Sequence, residues 1–242
     1  GAESVTDVEV PSAVRDLIES RLRGLTDDER NLLDCASVQG FTFDPDLVAR
    51  ALDAKPIVVL QRLAALERRL GIVQAHGSGY RFDHHQVQEV LYSEQAPVLR
   101  ASYHALTADA LERRERLAEV EEPEAAAAYT VALHRLRGTS PGDAKRYLKR
   151  ALAHVDNDYR TGAYLVLCAL ALDATGLLSD AERCAMLIGK GRMHGHLGQR
   201  SRQGAALEEA VTIADRIGDL RLRCEARGAL GWYLWAMGQY AE

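Results

Sequence analysis

Apolar side chains recur at helical spacing through most of this chain, and the first such run, Val14, Leu17, Ile18, Leu22 and Leu25, opens after Pro11-Ser12. Thr26-Asp27-Asp28-Glu29 then has the form of a capping box, in which the Thr side chain accepts from an amide three residues on and the Glu reaches back. It predicts a second helix carrying Leu32, Leu33, Cys35, Ala36 and Val38 and ending at Gly40. Phe41-Thr42-Phe43 follows as a short extended link. Asp44-Pro45 caps a third helix through Leu47, Val48, Ala51 and Leu52, and Lys55-Pro56 starts a fourth with Val59, Leu60, Leu63, Leu66 and Leu70. Proline suits these starts because its missing N–H would be unpaired there anyway. Ile72-Val73-Gln74-Ala75, a turn at Gly77-Ser78-Gly79, and Tyr80-Arg81-Phe82 predict a β-hairpin, since glycine supplies the positive φ such turns need.

Helices followed by a small β-wing make a winged-helix pattern, which we place over residues 11–95, after a linker or disordered segment at 1–10. Beyond Tyr92 the strand signals stop. Helical runs are predicted at 96–116, 123–137, 141–155, 157–175, 180–197, 201–217 and 219–237, separated by Gly, Asp, Ser or Pro breaks. At an offset of 40, Arg183, Cys184, Gly191, Gly198 and Gln199 meet Arg223, Cys224, Gly231, Gly238 and Gln239. At an offset of 42, Gly162, Ala163, Leu165, Asp173 and Gly176 meet Gly204, Ala205, Leu207, Asp215 and Gly218. The repeating unit therefore has two helices. Small residues at fixed places let neighbouring helices approach closely, as stacked hairpins require. Leu230-Gly231-Trp232 and Leu197-Gly198-Gln199 resemble the first helix and closing turn of a tetratricopeptide repeat, here with a period longer than the usual length of about 34. The expected architecture is mainly α: a winged-helix module at 11–95, a helical arm at 96–140, and tetratricopeptide-like repeats at 141–242 that continue beyond the last residue.

With 242 residues, the chain is long enough for two modules with sizeable cores. Hydrophobic residues make up 47% of it but never form a run of about 18, so no membrane span is expected. The acidic opening through Val10 is neither a secretory signal nor a transit peptide, and a cytoplasmic location is expected. A net charge of -5 supplies no general attraction to a phosphate backbone. Residues 11–92 carry ten Lys/Arg against twelve Asp/Glu, and the helix beginning at Pro56 offers only Gln61, Arg62, Arg68 and Arg69 to a groove. A winged helix that packs on protein fits this better than one that reads DNA. Cys35, Cys168, Cys184 and Cys224 lack metal spacing and are expected to be buried, reduced thiols.

No Gly-x-x-x-x-Gly-Lys-Ser/Thr occurs, and Gly189-Lys190-Gly191 falls mid-helix with a repeat mate at Gly231, so its glycines are read as packing residues. Catalysis is not expected of this chain by itself. His84 and His85, adjacent on a helix, point about 100° apart and cannot share one metal. His194 and His196, two apart, lie on nearly opposite faces. Trp232, Tyr233, Trp235 and Tyr240 form an aromatic cluster in which, because Trp232 and Trp235 share a face, one or two are expected in the core, while the remainder could line a concave groove; core packing is the preferred reading.

Phe82, His84, Val87, Glu89, Leu91 and Tyr92 resemble the "F-x-H-x-x-V-x-E-x-L-Y" signature that closes the winged helix of bacterial STAND-type signalling ATPases, a class that includes LuxR-type ATP-binding activators and adenylate-cyclase-associated regulators. The stretch from Val10 to Leu22 is similar to the run leading into that module. The resemblance implies that His84 contacts the diphosphate of bound ADP in the resting state, although Asp83 and His85 stand where other members often carry Arg and a small residue; the alternative is that His84 simply caps the helix after the wing. It further implies ADP or ATP held by a nucleotide-binding domain upstream, a winged helix that relays nucleotide state, repeats that bind an effector protein or small-molecule inducer, and a role in signal transduction or transcription regulation. Two other readings stay open: a constitutive tetratricopeptide scaffold, and a DNA-binding winged-helix regulator with a helical ligand domain.

Overall fold

The structure is a computed structural model that describes Ile18 and residues 20–238. The expected linker at 1–10, most of the first helix, and Tyr240 lie outside these residues. The described chain is mainly helical with one small three-stranded sheet, and its contacts divide it between Glu119 and Val120 into two compact units.

The first unit contains α1 (Asp27–Ser37), β1 (Thr42–Phe43), α2 (Pro45–Ala51), α3 (Pro56–Leu70), β2 (Val73–His76), β3 (Gly79–Phe82), α4 (His85–Glu94) and α5 (Pro97–Arg114). The capping box forms as its spacing predicts: Thr26 Oγ1 accepts from the Glu29 amide at 3.3 Å, and the Thr26 amide donates to Glu29 at 2.9 Å. Asp44 caps α2 by accepting from the Asp46 amide at 2.9 Å. Helix α3 ends at Gly71, whose φ of +59° is the left-handed stop that glycine adopts without a Cβ penalty. The Arg21 guanidinium closes the same end by donating to the Leu70 and Gly71 carbonyls at 2.6 and 3.1 Å.

The segment expected as an extended link is a strand. β1 pairs antiparallel with β3, Thr42 opposite Arg81 and Phe43 opposite Tyr80, and the sheet order is β1-β3-β2. In the hairpin His76 pairs with Gly79, so the tight turn is Gly77-Ser78, and Gly77 takes φ +57°. Gly79 is needed for a different reason: a Cβ there would stand 2.7 Å from the Phe43 carbonyl oxygen, so its lack of a side chain lets β1 close on the sheet. Leu33, Leu63, Leu66, Ile72, Phe82 and Leu91 are fully buried and form the core beneath the sheet. Burying each such side chain contributes about 1.5–3 kcal/mol relative to leaving it exposed. Helix α5, read from sequence as the start of an arm, packs on α1 and α2 within this unit, and Arg114 pairs with Asp44 and, at 3.9 Å, with Asp46.

The second unit is helical hairpins throughout: α6 (Ala125–Arg137), a 3-10 turn at Pro141–Ala144, α7 (Lys145–Asn157), α8 (Thr161–Asp173), α9 (Asp180–His196), α10 (Arg200–Ile217) and α11 (Leu220–Ala236). Successive helices pack together, most closely α6 with α7, α9 with α10 and α10 with α11. Alternate ones also touch, α6 with α8 and α9 with α11, as stacked hairpins do. The repeat read from sequence is present in the backbone. Gly176 and Gly218 turn with φ of +74° and +75°, and Gly198 and Gly238 with +68° and +69°. A second capping box, Ser179 with Glu182, starts α9. It has the same spacing as the first and was legible by the same rule. Among the described residues no helix is long and apolar enough to cross a membrane.

Candidate functional site

The hairpin delivers the chain into α4 through Asp83 and His84. His84 is the N-cap residue, in extended conformation, and its Nδ1 accepts from the Gln86 amide at 3.3 Å. An imidazole that accepts at Nδ1 carries its proton on Nε2 when neutral, so this exposed side chain holds a donor beside the positive end of a helix dipole. The ring of His85 instead stacks on Phe41, with centroids 3.8 Å apart. The two histidines thus diverge, His84 on the extended cap residue and His85 at the first helical position.

Asp83 does not stand as a bare charge next to His84. Gln74 donates to its carboxylate at 2.8 Å and the Arg21 guanidinium lies 3.6 Å away. The other signature residues anchor the helix. Phe82, Val87 and Leu91 are buried to within 1%, while Tyr92 bonds His104 at 3.0 Å and receives Arg100 over its ring at 4.8 Å. Glu89 is exposed.

Two glutamines, which the sequence reading did not single out, fasten α4 to the end of α1. Gln88 donates to the Ser37 carbonyl at 2.8 Å, and the buried Gln95 donates to the Asp34 carbonyl, the Ser37 hydroxyl and the Leu91 carbonyl at 2.9–3.1 Å. These bonds satisfy carbonyls that a helix C-terminus leaves free, and they fix the orientation of the helix that His84 caps. Partners separated by more than 50 residues carry no local sequence signal.

Helix α3 presents the other unusual surface of this unit. Ile57 and Leu60 are 58% and 39% exposed on it. Arg62 and Arg69 are engaged by Asp28 and Glu29 of the first turn of α1, each at 2.7 Å. The exposed side of this helix, which a DNA reader would make basic, therefore sets Ile57 and Leu60 around Arg68, and the helix's other two arginines, on its flank, are already paired.

In the second unit the glycines flanking Lys190 are packing residues, as expected. A Cβ on Gly189 would collide with the Tyr164 hydroxyl, and one on Gly191 would stand 2.8 Å from Leu207. His194 and His196 line different clefts, His194 with α8 and α10, His196 with α10 and α11. Among the described residues no group of three or more His, Cys, Asp or Glu is placed to hold a metal ion.

Two expectations are corrected here. Trp232 and Trp235 are 68% and 55% exposed and stack on each other at 4.8 Å, while Tyr233 is the aromatic that packs inward, against Gly204. Cys35, Cys168 and Cys184 are buried thiols, but Cys224 is exposed. Both corrections have one cause. Trp235 and Cys224 lie on the side of α11 turned away from its helical neighbours and Trp232 stands at the rim of the cleft that α11 makes with α9 and α10, whereas Cys184, the repeat mate of Cys224, is covered by α10 and donates to the Ala210 carbonyl at 3.4 Å.

No model of a known protein family matches the chain. No curated protein matches it. Among solved structures it is similar to the Signal Transduction ATPase with Numerous Domains (STAND) protein with a tetratricopeptide repeat sensor from Pyrococcus horikoshii, at 12% sequence identity and a TM-score of 0.43. The match covers 97% of this chain and 38% of that one, so the chain spans well under half the length of that protein. A likeness of this size assigns neither family nor function.

Proposed function

We propose that the chain is the regulatory portion of a nucleotide-switched signalling protein. The first unit, as a winged-helix module, relays nucleotide state, and the second, as a tetratricopeptide-like array, receives an effector. The observation that carries this reading is the exposed side of α3, where Ile57 and Leu60 leave Arg68 as the one arginine on that side while Arg62 and Arg69, on the flank, are spent on Asp28 and Glu29. Such a face suits a protein surface, and the surface we assign to it is a nucleotide-binding domain holding ADP or ATP. His84 Nε2–H then donates to a diphosphate oxygen in one state and loses that contact in the other. A contact made in one state only is what allows a nucleotide to bias a two-state equilibrium.

The test is ADP release from a polypeptide in which this chain follows its nucleotide-binding domain. His84→Ser keeps a capping side chain and removes the imidazole, and it should speed release by about tenfold, the effect of losing roughly 1.4 kcal/mol of contact. Unchanged release together with unchanged basal activity would remove His84 from the relay. The DNA-reading alternative is addressed by titrating the chain itself with duplex at low salt, since binding that weakens steeply as salt is raised would favour it.

A further inference from the structure

A cleft of about 420 Å³ opens between α8, α9 and α10. Its apolar wall is Leu165, Ala169, Ala205 and Ala206, and its charged residues are Lys190, Arg202 and Glu209. Several cations around this unit's surface are paired, among them Lys145 with Glu182, Arg150 with Glu122, Arg192 with Asp156, and Arg216 with Asp180. Among the described residues Lys190 and Arg202 make no ion pair, and the cleft's one carboxylate, Glu209, is held by Arg183 at 3.3 Å. Two unpaired cations therefore share a hollow whose only acid is already matched.

The wall of the cleft holds one more polar group. His194 is only 6% exposed, and its Nδ1 is taken by Gln199 at 2.8 Å, which leaves Nε2 as its uncommitted ring nitrogen. Burial holds this imidazole below its ordinary pKa, against the pull of Gln199, and the positive charges of Lys190 and Arg202 act in the same direction as burial. The cleft is thus positive, partly apolar, and of a size that small-molecule sites take.

We infer that this cleft binds a small amphiphilic anion, a carboxylate or phosphate monoester with an apolar chain, its head on Lys190 and Arg202 and its chain along Leu165, Ala169, Ala205 and Ala206. Charge-assisted hydrogen bonds to the head and apolar burial of the chain are separable contributions. The inference rests on the reading of the second unit as the effector receiver and names the class of effector. It stands apart from His84 and from nucleotide, so a failure here leaves the relay untouched.

Isothermal titration calorimetry of the 242-residue chain with octanoate, octyl phosphate and octanol tests it. One or both anions should bind saturably, and octanol should bind at least about tenfold more weakly because it brings no charge to the head site. Tighter binding of octyl phosphate than of octanoate would identify a phosphoryl head, and the reverse a carboxylate. Replacing both cations, Lys190→Gln with Arg202→Gln, should weaken the anions by about tenfold or more and leave octanol unchanged. Ala205→Trp fills the hollow while keeping both cations, and it should abolish binding of all three. Should the doubly substituted chain fail to fold, Ala205→Trp decides alone. No saturable heat with either anion, equal affinity for octanol, or unaltered binding in the Ala205→Trp chain would overturn the site.

Discussion

Tyr233 lays its hydroxyl against Gly204, where a Cβ would come within 2.8 Å of the oxygen, whereas a Cβ on Gly231 would meet nothing within 4 Å. Both glycines sit inside helices, so alanine gains up to about 1 kcal/mol of helix propensity at either one. At Gly204 the overpacking cost of about 1–3 kcal/mol exceeds that gain. Thermal unfolding should therefore move in opposite directions for the two substitutions, Gly204→Ala lowering Tm and Gly231→Ala raising it, by about 2–4 °C per kcal/mol for a chain of this size. Adding Tyr233→Phe to Gly204→Ala should restore part of the loss, and an equal response at both sites would contradict the packing described. Sequence showed that these glycines recur at fixed places. It could not show which of them meets a side chain, because that depends on the neighbouring helix.

Helix α6 buries two of its polar residues, His134 and Arg135. Burial, with the charge of Arg137 behind it, pushes the His134 imidazole down to about 4. The unfolded chain takes up this proton near pH 6.5, while the folded chain resists until about 4. The contribution of His134 is accordingly lost as the pH falls from about 6.5 to about 4 and is constant below that, amounting to about 3 kcal/mol. Urea unfolding at pH 7 and pH 4.5 should show the loss, and His134→Gln should flatten it. A slope unaffected by that change would place the proton uptake elsewhere, and His194, also depressed, is the other candidate.

Legibility at this scale followed locality. Helix starts with a box such as Thr26 and Glu29 were readable because all their partners lie within four residues, and the hairpin was readable because its turn fixes its register. Strand β1 was not readable. It has two residues, too few to alternate, and its partners Tyr80 and Arg81 lie nearly forty positions away. The buried bonds of Gln95 and the pairing of Arg62 with Asp28 are non-local in the same way. The histidine cap was half visible: its position came from a motif, but the commitment of Nδ1 to the Gln86 amide, which leaves Nε2 as the donor, is a fact of backbone geometry.

For the molecule as a whole, the net charge of -5 and the exposed Ile57 and Leu60 of α3 support the proposed reading of a protein-facing regulator. The repeat was legible because repetition is a property of sequence, and the cleft on α8, α9 and α10 was not, because its walls come from three helices brought together only by packing. The central claim is that residues 81–92, and α3 beside them in the first unit, respond to nucleotide state. Hydrogen–deuterium exchange of a polypeptide carrying both the nucleotide-binding domain and this chain, loaded with ADP or with ATP, measures that response. Slower exchange at 81–92 and along α3 with ADP, released with ATP, is the predicted result. Identical exchange in both states, equal to that of the isolated chain, would contradict it.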